Sequence, residues 1–164
     1  MTSKRYQTAL KFIGAFEDLS IDTFLALQTP TCRHVFAPAS LPPPAPLDNA
    51  GFAAHQTGLR TILEAFPVRA KEIIEDQEKN QVVIWATSET KFFDAVKDSG
   101  LSDDEWIYRG EYMFILTMDE SQEKIERVIE FLDSKATERL RVLIRRAKDN
   151  KQKIDGVRVE GHFD

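Results

Sequence analysis

The spacing of apolar residues changes at Pro67, and that change constrains the fold more than any other feature. Before Pro67 the apolar positions recur every three or four residues, the period of helices that bury one face. From Val68 to Asp133 they recur every second residue, the period of strands. Tyr6, Ala9, Leu10, Ile13, Phe16 and Leu19 predict a helix over Ser3 to Leu19. A shorter helix is expected over Asp22 to Leu27, capped by Ser20 and ended by Thr29-Pro30. Thr31 to Ala37 suits a short strand. The proline-rich PASLPPPAPLD that follows reads as a rigid surface loop, because proline fixes φ and lacks a backbone donor. Asp48 or Asn49 then caps a third helix, whose face runs from Phe52 to Phe66.

Four period-two segments follow: Val68 to Asp76, Gln81 to Val96, Trp106 to Asp119 and Lys124 to Asp133. Short polar turns and one charged loop join them, so they are expected to be antiparallel neighbours. Ser134 is read as the cap of a last helix. The expected fold class is α+β: a cone formed by a curved antiparallel sheet capped by about three helices, with an extra C-terminal helix. Residues 1–153 are read as one domain and residues 154–164 as a tail. A curved sheet under helices can enclose a hollow, which is where a small molecule would sit.

Composition narrows the function classes. With 42% hydrophobic and 30% charged residues the chain can pack a core. No apolar run reaches the roughly 18 residues of a membrane helix, and MTSKRYQTALKF lacks the apolar segment of a secretory signal. The one cysteine, Cys32, supports neither a disulfide framework nor a thiolate metal site, so a cytoplasmic setting without metal is expected. The net charge of −5 argues against nucleic acid. Ser134 to Lys153 carries eight basic and two acidic residues, so +6, leaving −11 on the rest. It has no aromatic residue to stack on bases, and a solvated helix facing an acidic body is the simpler reading.

Three strings, TCRHVFAPASL, FAAHQTGLRTILEAFP and GEYMFILTMDESQEKIERVIEFLDSKATERL, together with the order of elements, resemble the NTF2-like superfamily, and within it the SnoaL-like proteins of filamentous fungi. The resemblance spans roughly Ser3 to Leu143. It implies a cofactor-free isomerase or cyclase acting on a bulky apolar metabolite, and a homodimer packed sheet to sheet. Fungal members include isomerases of meroterpenoid pathways and a semipinacolase of spiro-indoxyl alkaloid formation, which drives a 1,2-shift in an oxidised indole. Plain binding modules and dehydratases share the fold, and both remain open here. One departure from the pattern matters. Many cyclases of this fold use an Asp-His pair, whereas His34, His55 and His162 have no evident acidic partner in this sequence.

The candidate catalytic residues are Arg33, Glu130, Tyr108 and Tyr112; the candidate substrate-binding residues are Phe52, His55, Trp85 and Phe114. In RVIEFLD, Val128, Glu130 and Leu132 share a strand face, which puts an acid among apolar neighbours and suits it to proton exchange. The alternative is a solvent or dimer face with Glu130 paired to a base. Tyr108, Gly110 and Tyr112 share another face, and the glycine leaves a gap between two phenols that could donate to a developing oxyanion or simply pack. With a turn centred between Ser121 and Gln122, Tyr112 falls opposite Phe131; one residue of slip brings Glu130 there instead. Arg33 is either a fixed cation clamping a substrate oxygen or a structural ion pair with Glu130 or Asp133. His34 and His55 are possible bases, and His55 on an apolar helix face also reads as a satisfied core residue. Trp85 is core or pocket wall, and Glu89 and Asp133 are weaker candidates. A cavity of roughly several hundred Å³ holding Arg33 and Glu130 would mark an enzyme, and a filled cone a binding module.

Overall fold

The structure, a computed structural model, describes residues 1–41 and 45–160, with the side chains of 157–160 excepted. Residues 42–44 of the proline-rich loop, the end of the expected tail and His162 lie outside the described residues. Helix α1 (Lys4–Gly14) begins where Ser3 Oγ accepts the Tyr6 backbone N–H. It ends five residues earlier than the apolar spacing predicted. The chain then turns through Leu19, whose φ of 53° no helix accommodates. The buried face of α1 is also rotated from the expected one: Thr8, Ala9, Phe12 and Ile13 point inward, while Leu10 is 46% exposed.

Helix α2 (Ile21–Leu27) leads directly into strand β1 (Gln28–Ala37). Helix α3 (Asn49–Arg60) is capped by Asp48, whose carboxylate accepts the Gly51 N–H. It stops before the predicted Phe66, because Leu63–Ala65 forms a short strand, β2, against Lys91 and Phe92. Strands β3 (Val68–Asp76), β4 (Gln81–Phe92), β5 (Tyr108–Met118) and β6 (Ile125–Leu132) form the expected antiparallel meander. A 3-10 turn at Asp94–Val96 replaces the end of the predicted second strand. Helix α4 (Ser134–Glu160) runs past Lys153 into the expected tail. Asp133, rather than Ser134, accepts the Ala136 N–H at its start.

The strand order is β1-β6-β5-β4-β2, with β3 also paired to β4. Strand β1 runs parallel to β6, which puts His34 beside Val128 and Phe36 beside Glu130. The β5–β6 register places Tyr112 opposite Leu132 and Phe114 opposite Glu130. That is a one-residue slip in the direction opposite to the one considered from sequence. It arises from an irregularity between Thr117 and Met118, where the pairing skips Glu126.

Parity then sorts the sheet into two faces. Val82, Leu116, Val128 and His34 form one inward row; Ile84, Phe114, Glu130 and Phe36 form the next. Six phenylalanines, Phe12, Phe24 and Phe52 of the helices, Phe114 of the inner sheet face, and Phe16 and Phe66 of connecting segments, meet mostly edge to face, at 4.9–6.1 Å between ring centroids. They fill the cone at the end where α1 to α3 cross it and leave the α4 end less filled.

Candidate active site

The unfilled part of the cone is a cavity of about 140 Å³. Its floor comes from buried residues of three regions: Phe16 and Phe66, Gln56 of α3, and Tyr108, Tyr112 and Glu130 of the sheet. His55, Arg141, Leu140 and Ile144 line it where it meets solvent, so α3 and α4 form its mouth. The volume is smaller than the several hundred Å³ expected. It matches the roughly 150 Å³ at which an apolar protein cavity takes a benzene ring.

Glu130 is 7% exposed, and its Oε2 lies 2.7 Å from His34 Nε2. Two parallel neighbouring strands bring the two side chains together on a diagonal, since Glu130 lies two residues beyond the partner of His34. The imidazole is 1% exposed and held between two rings: it stacks on Phe52 at 4.5 Å and leans on Phe36 at 4.8 Å. Hydrogen bonds in both directions with Leu47 fix its backbone. His34 Nδ1 is buried without a partner. The imidazole thus makes one polar contact, to the acid, and orients it. Glu130 Oε1 takes no hydrogen bond among the described residues, while the residue lines the cavity. A histidine–carboxylate pair is therefore present, and the sequence expectation that no histidine has an acidic partner is overturned.

The two tyrosines form the second polar group. Their hydroxyls fold over Gly110: a Cβ there would lie 2.3 Å from the Tyr108 hydroxyl and 2.7 Å from that of Tyr112. Tyr112 donates to Tyr108 at 3.4 Å, so the 2.9 Å bond between Ser88 and Tyr112 has Ser88 as donor. This relay leaves the Tyr108 proton at its end, beside the cavity. Burial raises the pKa of both phenols, that of Tyr112 far above its usual value, so both are donors and not phenolates at neutral pH. His55 is exposed at the mouth, and the protein packed around it lowers its pKa, chiefly by desolvation.

The other expected site residues lie elsewhere. Arg33 is exposed on β1, on the face of the strand opposite His34, with its guanidinium donating to the Cys32 carbonyl; it does not line the cavity. It pairs with neither Glu130 nor Asp133. Phe52 and Phe114 are core, touching the site through His34 and Tyr112 respectively. Trp85 is on the outer face of the sheet, where its indole N–H donates to Glu111 and the Lys71 ammonium sits 3.8 Å from the ring centroid. Glu89 pairs with Arg109 at the surface. Sequence reasoning missed the His34–Glu130 contact, Gln56 and Ser88. The alternation of HVF in TCRHVFA carried the inward direction of His34, but not the strand beside it.

Among the described residues no three His, Cys, Asp or Glu side chains gather to hold a metal, and no helix is long and apolar enough to cross a membrane.

No protein-family model matches the sequence. The chain is 29% identical over 130 residues to the austinoid biosynthesis cluster protein H of Aspergillus calidoustus, covering 77% of this chain and 81% of that protein. Its fold superposes on the structure of AusH from Aspergillus nidulans with a TM-score of 0.69 at 26% identity, over 82% of this chain and 86% of that one. It also matches the BvnE pinacolase of Penicillium brevicompactum with a TM-score of 0.73 at 24% identity, over 87% and 95% of the two chains.

Proposed function

We propose that this chain, an NTF2-like protein related to fungal secondary-metabolite biosynthesis enzymes, is a cofactor-independent isomerase that rearranges a bulky, mostly apolar metabolite. The observation that carries the reading is the buried His34–Glu130 pair bordering an apolar cavity. An acid held in one orientation by a buried imidazole, with one oxygen left for substrate, is equipped to move a proton. The phenols on the neighbouring strand, which line the same cavity, are equipped to donate to an oxygen or nitrogen that gains charge. Kinship with isomerase-type enzymes of this fold supports catalysis over passive binding.

In a semipinacol-type shift, Glu130 Oε1 takes the proton of a substrate hydroxyl. The carbinol carbon becomes a carbonyl as one of its C–C bonds migrates, with its electron pair, to the adjacent imine carbon. The C=N π pair moves to nitrogen, which takes the Tyr108 proton; the proton held by Glu130 then leaves through the solvent-facing mouth and Tyr108 regains one there, so both groups return to their starting state. No atom is gained or lost. Arg33, expected from sequence as the fixed cation, has no part in this scheme, and the tyrosine relay takes the donor role. The cavity volume allows one ring of the substrate inside, with the remainder across the mouth between His55 and Arg141.

The test is product mass. Purified protein with a 2,3-disubstituted 3-hydroxyindolenine is expected to give a ketone of unchanged mass. Loss of water would instead make the protein a dehydratase, and an unaltered substrate bound to the protein would favour a binding module.

The outer sheet face supports a homodimer. Ile74, Val83, Ile115, Ile129 and Val35 form one row across five strands, and Trp85, Met113 and Phe131 begin the next. Phe131 is 50% and Ile74 53% exposed. An apolar band of this length is unusual on a monomer. Light scattering is expected to give twice the chain mass, falling to one chain in Phe131→Lys; a wild-type monomer at micromolar concentration would remove this part.

A further inference from the structure

The carboxamide of Gln56 has no role in the proton-transfer scheme, and its surroundings point to a ligand. Gln56 is 3% exposed and lines the cavity, yet its Oε1 is buried without a hydrogen-bond partner. Its Nε2 donates to no other described residue either. A buried polar group without a partner is destabilising, and native proteins keep few of them without a reason. The neighbours on α3 do not supply one. Phe52, one turn earlier, packs into the phenylalanine cluster, and Leu59, three residues later, lines the same cavity with an apolar side chain. Leucine at position 56 would fit the apolar pattern of this helix face, and a glutamine there leaves both a donor and an acceptor unused.

We infer that Gln56 is the specificity residue of the cavity, selecting substrates whose buried ring carries a hydroxyl group. A hydroxyl both donates and accepts, so it satisfies either end of the carboxamide. A ring is the largest group the roughly 140 Å³ space admits. A site built to pair with a hydroxyl discriminates strongly against the analogue lacking it, because the site's own polar group is then left unpaired. This inference rests on the cavity being the substrate site, but not on Glu130 moving a proton.

Phenol and toluene are suitable probes, with affinities read from NMR titration of wild-type protein and of Gln56→Leu. An apolar cavity prefers toluene, since phenol must leave the water around its hydroxyl behind. The ratio of the toluene to the phenol dissociation constant is expected to be at least about tenfold larger in the wild type than in Gln56→Leu. Toluene itself should bind Gln56→Leu at least as tightly as wild type. Equal ratios in the two proteins, within about twofold, would overturn the role of Gln56 while leaving the proton-transfer reading intact. Failure of wild-type protein to bind either probe at millimolar concentration would overturn the shared premise that the cavity admits a ring. Gln56→Met serves as the second variant should Gln56→Leu not fold, with the same expected change in ratio.

Discussion

Gly110→Ala tests the geometry of the tyrosine pair. The added methyl would stand 2.3 Å from the Tyr108 hydroxyl, 2.7 Å from its Cζ and 2.7 Å from the Tyr112 hydroxyl. Ordinary contact begins near 3.4 Å, so the Tyr108 hydroxyl must retreat by about 1 Å and that of Tyr112 by somewhat less. Tyr108 is 1% and Tyr112 3% exposed, so the space open to either ring is the cavity that both line, and entering it moves the hydroxyls out of their relay. Overfilling a packed interior costs about 1–3 kcal/mol. The 2.9 Å bond from Ser88 would also stretch beyond bonding range, adding about 1 kcal/mol. A total of about 2–4 kcal/mol lowers Tm by roughly 4–16 °C for a chain of this size. The assay is thermal unfolding of four proteins: wild type, Gly110→Ala, Tyr108→Phe and the double variant. Removing the nearest clashing atom should make the double variant more stable than the sum of the single changes allows, by about 1 kcal/mol. A Gly110→Ala protein melting within 1 °C of wild type would refute the placement of both phenols over the glycine.

Three further outcomes are expected. His34→Leu leaves Glu130 Oε2 buried without its partner and should cost about 3–5 kcal/mol in urea unfolding; recovery in His34→Leu/Glu130→Leu identifies the pair as the cause, and a single-variant loss under about 1 kcal/mol would contradict it. The thiol of Cys32, pushed by burial up to about 11, should resist iodoacetamide at pH 7.5 in native protein and react once unfolded; rapid labelling of the native chain would contradict its burial. The Arg146 guanidinium, followed by Asn150, holds the Asp98 carboxyl well below its ordinary 3.8 and ties α4 to the loop after β4. A carboxyl with a depressed folded-state pKa stabilises above its ordinary value and loses that contribution as pH falls below it. The stability gap between wild type and Asp98→Asn should therefore narrow once pH drops below about 4. An equal gap at pH 6 and pH 2.5 would contradict the anchor.

The sequence carried the fold because period-two and period-3.6 patterns report which face of an element is buried, and nearly every element here buries one face. It carried the inward direction of Glu130, Tyr108 and Tyr112 for the same reason, since alternation fixes side-chain direction within a strand. Contacts between strands were beyond its reach. The parallel pairing of β1 with β6 joins residues nearly a hundred positions apart, so His34 showed no acidic partner along the chain. The skip at Glu126 moved Tyr112 from Phe131 to Leu132, and no local pattern announces it. Arg33 was misjudged because it was weighed as a clamp or an ion pair without regard to parity: the residues of β1 alternate, and Arg33 takes the side opposite His34. Trp85 was misjudged in a related way. A large aromatic side chain suggests an interior, but parity sends this one to the outer face.

In the proposed reaction Glu130, held by His34, moves a proton of a substrate seated in the cavity. The most direct test is the single-turnover rate of Glu130→Gln on a 3-hydroxyindolenine that the wild-type enzyme isomerises, with Arg33→Ala as control. Glu130→Gln is expected to slow by roughly 10²- to 10⁴-fold with ligand affinity unchanged, and Arg33→Ala to stay within twofold of wild type. A Glu130→Gln enzyme turning over at the wild-type rate would contradict the account.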